Sequence, residues 1–224
     1  MRGRLLVLAK APVPGRVKTR LCPPCSAAEA AAVAAAALAD TLDAAAGAAP
    51  AVLAVDGRMP VPPGVRVLAQ RGDGLGERIA AAFADTGAGP VLQIGMDTPQ
   101  AGPELLAACL SRLDSAVDAV LGPAEDGGWW ALGLRHPRHA RLLAGVPMST
   151  PDTGRLTLAA LRGAGLRVSL LPTLRDVDGW PDAVAVARLA PAGRFAAAVA
   201  GVAAGLGARV GGVSGPPAAR LGMA

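Results

Sequence analysis

Aromatic side chains are almost missing from this chain: Tyr does not occur, and Phe, Trp and Tyr together make up 2% of its 224 residues. Proteins that bind single strands or RNA stack bases on flat side chains. The scarcity therefore argues against nucleic acid as the partner. Cysteine occurs three times, as Cys22, Cys25 and Cys109, and an odd number argues against a disulfide framework. Cys22-Pro23-Pro24-Cys25 has C-x-x-C spacing, but no second pair exists, and His136 and His139 are distant in sequence. The plainer reading is a loop with two small residues. Long hydrophobic runs are lacking too. The most apolar stretch, 30–39, is mostly alanine between Glu29 and Asp40, whereas a membrane span needs about 20 strongly apolar residues. The run 5–9 stops at Lys10, short of the roughly 7–15 residues of a secretory h-region. A cytoplasmic protein is the expectation, with no membrane partner.

What is present supports one folded domain. Hydrophobic residues make up 52% and charged residues 17%, enough apolar material for a core. Lys plus Arg number 22 against 17 Asp plus Glu, a net charge of +5. That excess suggests an anionic partner, and with so few stacking residues a small phosphorylated ligand comes ahead of nucleic acid.

Short apolar runs predict strands over 4–9, 51–55, 65–69, 90–95, 116–121, 129–134 and 166–171. Helices are predicted from a Ser26/Glu29 capping box to about residue 46, then over 75–84, 103–112, 157–162 and 181–189. The alternation indicates an α/β fold with a largely parallel sheet. The link 122–128 is too short for a helical crossover, so the sheet should be mixed. The domain is expected to span 1–204, and the Gly/Ala/Pro-rich tail 205–224 to be disordered.

Five segments could carry chemistry. The loop 9–21 follows the first strand, where open α/β sheets bind ligands. Lys10, Arg16, Lys18 and Arg20 crowd into it, with Pro12, Pro14 and Gly15 restraining the backbone between them. Converging Arg forks and Lys point charges suit a di- or triphosphate. The loop is not a Walker motif, because Val17 rather than Gly precedes Lys18-Thr19. Asp97 stands just past the strand 90–95, facing the same crevice, where Mg²⁺ would bridge a carboxylate to phosphate oxygens; helix capping is the competing account. Glu125-Asp126-Gly127-Gly128-Trp129-Trp130 could orient an acceptor, or be a tight hairpin turn. Asp176 and Asp178 fall on one side of an extended segment, so one could be a second metal ligand, unless Asp178 caps the helix after it. Gln70 and Gly72, in a G-x-G-x-G loop, could meet the base or an anion.

Together these segments resemble a bacterial family of GT-A-like transferases assigned to glycosyl or nucleotidyl transfer. The resemblance is carried by AKAPVPGRVKTRL at 9–21, QRGDGLGERIAAAF at 70–83, IGMDTP at 94–99, LGPAEDGGWWALGL at 121–134 and DVDG at 176–179. More distantly the chain is similar to molybdenum-cofactor and phospholactate guanylyltransferases. The resemblance implies a three-layer α/β sandwich of the nucleotide-diphospho-sugar transferase kind, with a mixed, mostly parallel sheet. It implies catalytic roles for Lys18, Arg20 and Asp97, with Lys18 and Arg20 on phosphate and Asp97 on Mg²⁺ or Mn²⁺. Asp178, or Asp176, corresponds to a second ligand. The nucleotide is expected against Ala9, Lys10, Pro12, Gly15, Arg16, Lys18, Arg20, Gln70 and Gly72. The acceptor is expected against Asp126, Gly127, Gly128 and Trp129. Trp129 and Trp130 stand where the family more often has Tyr, so a hydroxyl role there is lost. The expected reaction is nucleotidyl transfer from a nucleoside triphosphate to a small phosphorylated or hydroxyl acceptor. The alternatives are glycosyl transfer from a sugar nucleotide and a non-catalytic nucleotide-binding domain.

Overall fold

A computed structural model describes residues 3–114 and 116–211. Its strands are β1 (Arg4–Lys10), β2 (Ala51–Asp56), β3 (Arg66–Ala69), β4 (Val91–Ile94), β5 (Ala119–Pro123), β6 (Trp129–Leu134) and β7 (Val168–Leu170). They form one seven-stranded sheet in the order β3-β2-β1-β4-β6-β5-β7. Every neighbouring pair is parallel except the two made by β6. The helices are α1 (Ala27–Ala48), α2 (Leu75–Asp85), α3 (Pro103–Ser111), α4 (Thr153–Gly163), α5 (Trp180–Leu189) and α6 (Arg194–Gly211).

The continuous apolar run of β1 follows from cover on both faces. Leu5, Val7 and Ala9 join a cluster with Leu38 and Leu42 of α1 and Leu106 of α3. Leu6 lies on the other face, with Ile79 and Phe83 of α2, Leu132 of β6 and Leu161 of α4. The result is three layers, helix–sheet–helix. A third cluster ties α1 to α5 and α6 through Val33, Val186, Phe195 and Val199. Cys25 is buried in it and Cys22 packs against it, which fits a loop with two small residues. The capping box is formed: the Glu29 amide donates to Ser26 Oγ at 3.2 Å, and the Ser26 amide to Glu29 Oε2 at 2.7 Å. By length and composition α1 could cross a bilayer, yet it is a layer of this core, with 56% of its most apolar window buried.

Asp118 pins the far edge of the sheet. It accepts from Arg167 Nε at 2.8 Å and Arg135 Nη2 at 2.7 Å, joining the residues that enter β5 and β7 and leave β6. Hydrogen bonds from the Arg167 side chain and backbone, ahead of any other cause, hold its carboxyl well below the usual carboxylate range.

Three expectations change. β5 begins at Ala119 rather than 116, because Asp114 Oδ1 takes the amides of Ala116 (2.7 Å) and Val117 (3.0 Å) into a turn. A 3-10 segment at Pro137–Gly145 and the whole of α6 were not expected. The domain does not end at 204, since α6 continues to Gly211; the rest of the expected tail lies outside the described residues.

Strand order fixes where a ligand can enter. From β1 the sheet grows outward through β2 and β3, then resumes on the other side of β1 with β4. The loops leaving β1 and β4 therefore diverge and leave a crevice at the carboxyl edge.

Candidate functional site

A cleft of about 500 Å³ opens there, lined by the loop after β1, the exit of β4, the β5–β6 turn, the segment 148–153 and residues 176 and 178. The first loop is tied down at its start, with the Ala11 amide donating to Asp56 O at 2.8 Å. It turns through Arg16 N to Val13 O at 3.0 Å and reaches Lys18. Lys18 is left-handed, at φ 48° and ψ 39°, a conformation that costs a non-glycine residue about 1–2 kcal/mol. Surrounding contacts hold it there. Leu21 N donates to Lys18 O at 3.0 Å, and the ammonium donates to Val177 O and stands 2.8 Å from Asp97 Oδ1. That oxygen is buried and meets the ammonium as an ion pair rather than an aligned hydrogen bond. The Val177 amide donates to Asp97 O at 2.8 Å. Three distant segments are thus laced together around one charge pair. Beside it Arg20 Nη1 contacts Asp178 Oδ2 at 2.6 Å, with both side chains substantially exposed.

Neither competing helix cap is observed. α3 is capped by Gly102, five residues after Asp97, and α5 by Gly179, whose amide donates to Asp182 Oδ2 at 3.0 Å. Asp97 and Asp178 remain directed to the cleft. Asp176 shares it and is raised to about 6, first by burial, then by the charge of Asp126, with Asp178 and Asp97 adding smaller pushes. The carboxyl is therefore neutral more readily in the folded than in the unfolded chain. Its contribution to stability is full below pH 3.8 and is lost as pH rises through about 6. Asp176→Asn removes that titration. Its melting temperature should gain on that of the parent as pH rises from 4 to 7 in a metal-free buffer, measured by calorimetry; a constant difference contradicts the crowding.

Other expected residues divide between lining and support. Ala9, Lys10, Arg16 and Gln70 line the cleft. Gln70 spends both amide hydrogens on the backbone, at Ala9 O (2.8 Å) and Ala54 O (3.0 Å), so only its oxygen remains for a ligand. Asp126, Gly128 and Trp129 also line it, and Asp126 Oδ1 accepts from Gly128 N at 2.7 Å, shaping the hairpin turn. Trp129 Nε1 donates to Thr157 at 3.2 Å, and Trp130, 3% exposed, to Pro172 O at 2.9 Å. Pro12, Gly15, Gly72 and Gly127 are not among the residues that line the cleft. Gly127 has a steric role. At φ 89° it lies against Pro151, where a β-carbon would come 2.0 Å from the carbonyl oxygen. Gly72, at φ 122°, likewise lies against the first turn of α2.

No sequence motif marks the far wall. Gln93, Met148, Thr150 and Thr153 line the cleft. Gln93 is 2% exposed, and its Oε1 accepts no hydrogen bond although fully buried. A lone Gln inside an otherwise apolar strand was the available signal, since buried polar groups are normally satisfied.

The donor set fits a hard divalent cation in part. Among the described residues no group of three or more acids, histidines or cysteines closes on one point. Mg²⁺ commonly takes one or two carboxylates and completes its shell with phosphate oxygens and water. Asp97 and Asp178 suit that open arrangement through their second oxygens, since the ion pairs with Lys18 at 2.8 Å and Arg20 at 2.6 Å engage one oxygen of each.

Residues 26–150 match the family described as "Uncharacterized protein conserved in bacteria (DUF2064)". The chain belongs to this family. Among solved structures, a candidate nucleotide-diphospho-sugar transferase from Desulfovibrio desulfuricans G20 is similar at 31% identity. Its TM-score is 0.74, covering 82% of this chain and 85% of that one. A 2-C-methyl-D-erythritol 4-phosphate cytidylyltransferase from Thermus thermophilus matches at 17% identity and TM-score 0.56, over 85% of this chain and 100% of that one. A CMP:2-keto-3-deoxy-manno-octonic acid synthetase complexed with CTP matches at 14% and 0.54, over 85% and 99%. No curated protein matches in sequence. The DUF2064 chain therefore has the α/β sandwich of the nucleotide-diphospho-sugar transferases, as its motifs implied.

Proposed function

We propose that this DUF2064 protein is a divalent-metal-dependent nucleotidyltransferase. An oxygen of a small acceptor attacks the α-phosphorus of a nucleoside triphosphate, the bond to the β-phosphate oxygen breaks, and pyrophosphate leaves. The observation that carries the reading is the Lys18–Asp97 pair, 2.8 Å apart inside one cleft. It joins the cationic loop to an acid suited to a metal. Lys18 and Arg20 would neutralise the departing phosphates, with Lys10 and Arg16 adding field at the same mouth. Asp97, with Asp178 as second ligand, would hold Mg²⁺ or Mn²⁺, which when bound would offset the negative charge of the phosphates. The protein needs no covalent nucleophile, because alignment and charge neutralisation carry such transfers. The solved cytidylyltransferase and the CTP-bound synthetase support this reading through their fold.

Glycosyl transfer is the second reading, favoured by the likeness to the candidate nucleotide-diphospho-sugar transferase at 31% identity. In that case the same loop holds a diphosphate, and Asp126 orients sugar or acceptor. The products separate the two. The whole protein is incubated with each nucleoside triphosphate or sugar nucleotide, Mg²⁺ or Mn²⁺, and pools of small acceptors. Pyrophosphate release is expected, nucleoside diphosphate would move the assignment to glycosyl transfer, and nucleotide-dependent stabilisation without any product would leave a binding domain.

A further inference from the structure

The cleft has two chemically different ends. Every cation lining it among the described residues, Lys10, Arg16, Lys18 and Arg20, comes from the first loop. The other end lies on the opposite face of the sheet. Gln93 pairs across the sheet with Leu6 on β1 and Leu132 on β6, so the three side chains share one face. Leu6 and Leu132 belong to the cluster built around Ile79 and Phe83 of α2. Into that face the cleft extends between Leu75, Ile79, Trp129 and Met148, with Thr150 and Thr153 at its side. At the bottom lies Gln93, 2% exposed, with Oε1 unpartnered. Among the described residues this lobe contributes no positive charge, and the charged side chains of the cleft outside the first loop are all acids, Asp97, Asp126, Asp176 and Asp178.

We propose that this lobe is the acceptor subsite, and that it takes a neutral, hydroxyl-bearing molecule of largely apolar body whose hydroxyl is read by the Gln93 carboxamide. The inference rests on the transfer reaction proposed above and narrows its acceptor. A carboxamide both donates and accepts, as a hydroxyl does, so one ligand group can meet both of its ends. A phosphate ester seated there would bring two negative charges into a lobe where no described residue supplies a cation. Isoleucine, leucine, tryptophan and methionine walls match an apolar ligand body. Gln93 is then a specificity residue for the acceptor, while donor binding stays with the first loop.

Matched probes test this on the whole, nucleotide-free protein by saturation-transfer NMR. The pairs are benzyl alcohol against benzyl phosphate, and cyclohexylmethanol against cyclohexylmethyl phosphate. The neutral member of at least one pair should bind, with its phosphate ester at least about tenfold weaker. Gln93→Met keeps the volume without the hydrogen bonds and should weaken the neutral probe about tenfold with no loss of melting temperature; Gln93→Leu is the second variant should Met disturb the fold. Phosphate esters binding equally or better, neutral binding indifferent to Gln93, or no binding by either pair overturns the proposal. Thermal stabilisation by a nucleoside triphosphate with Mg²⁺ is measured separately. Its absence would sink the transferase reading while leaving the probe result intact, so the two failures are distinguishable.

Discussion

If the proposed reaction holds, Asp97→Asn should lower turnover by about 10³-fold, the rate equivalent of the several kcal/mol that a metal contributes to charge stabilisation. The substitution keeps shape and removes the charge. It also leaves the Lys18 ammonium, 11% exposed, without the carboxylate at 2.8 Å, so the free protein holds an uncompensated cation beside Val177 O. That cation favours an anionic ligand. Nucleotide binding measured without metal is therefore retained or slightly tightened, while metal-dependent binding and turnover collapse together. Calorimetric titration with and without Mg²⁺ separates the two effects. Asp97→Asn with metal dependence intact would place the cation elsewhere.

The second large effect belongs to Lys18. Lys18→Ala should weaken nucleotide binding about 10- to 100-fold, the equivalent of losing one charge-assisted hydrogen bond of about 1.5–3 kcal/mol. Two variants separate side chain from backbone. Lys18→Gly loses the same ammonium but adopts φ 48° freely, whereas Lys18→Ala retains a β-carbon in the left-handed region. Both should bind nucleotide equally poorly, yet the Gly variant should melt about 2–4 °C above the Ala variant, as about 1 kcal/mol shifts a chain of this size. Equal melting temperatures would mean that the loop relaxes when Lys18 is removed. Lys18→Arg should rescue little, because a bulkier planar guanidinium does not match the compact ammonium that sits, 11% exposed, between Val177 O and Asp97.

The site was legible where charge and chain-breaking residues coincide. Four cations among Pro and Gly after a buried strand, and an acid after another, point to one sheet edge by topology alone, and Lys18 and Asp97 do meet there. The supporting residues were not legible. Gly72 and Gly127 read as ligand contacts, and no local pattern announces that they also pack closely against Glu77 and Pro151. Gln93 was hidden by the strand around it, since strand signals count apolar residues and pass over the exception. Most of the strands could be read because both faces are covered and the runs are uninterrupted. α6 was hidden by its own composition. Gly201, Gly205 and Gly207 resemble a linker, and only Phe195, Val199 and Val202, spaced to fall on one helix face, betray its contact with α1 and α5. Helices of alanine and glycine carry little local information, so their placement waits on the tertiary partner.

On the proposed reading, one cleft binds metal and nucleotide together through Asp97 and Lys18. Electron paramagnetic resonance of Mn²⁺, titrated into the whole protein with and without each nucleoside triphosphate, tests it most directly. Tight Mn²⁺ binding should require a nucleotide, should be lost in Asp97→Asn, and should weaken in Lys18→Ala through the loss of nucleotide. Nucleotide-dependent Mn²⁺ binding that survives unchanged in both variants would contradict the assignment of the cleft.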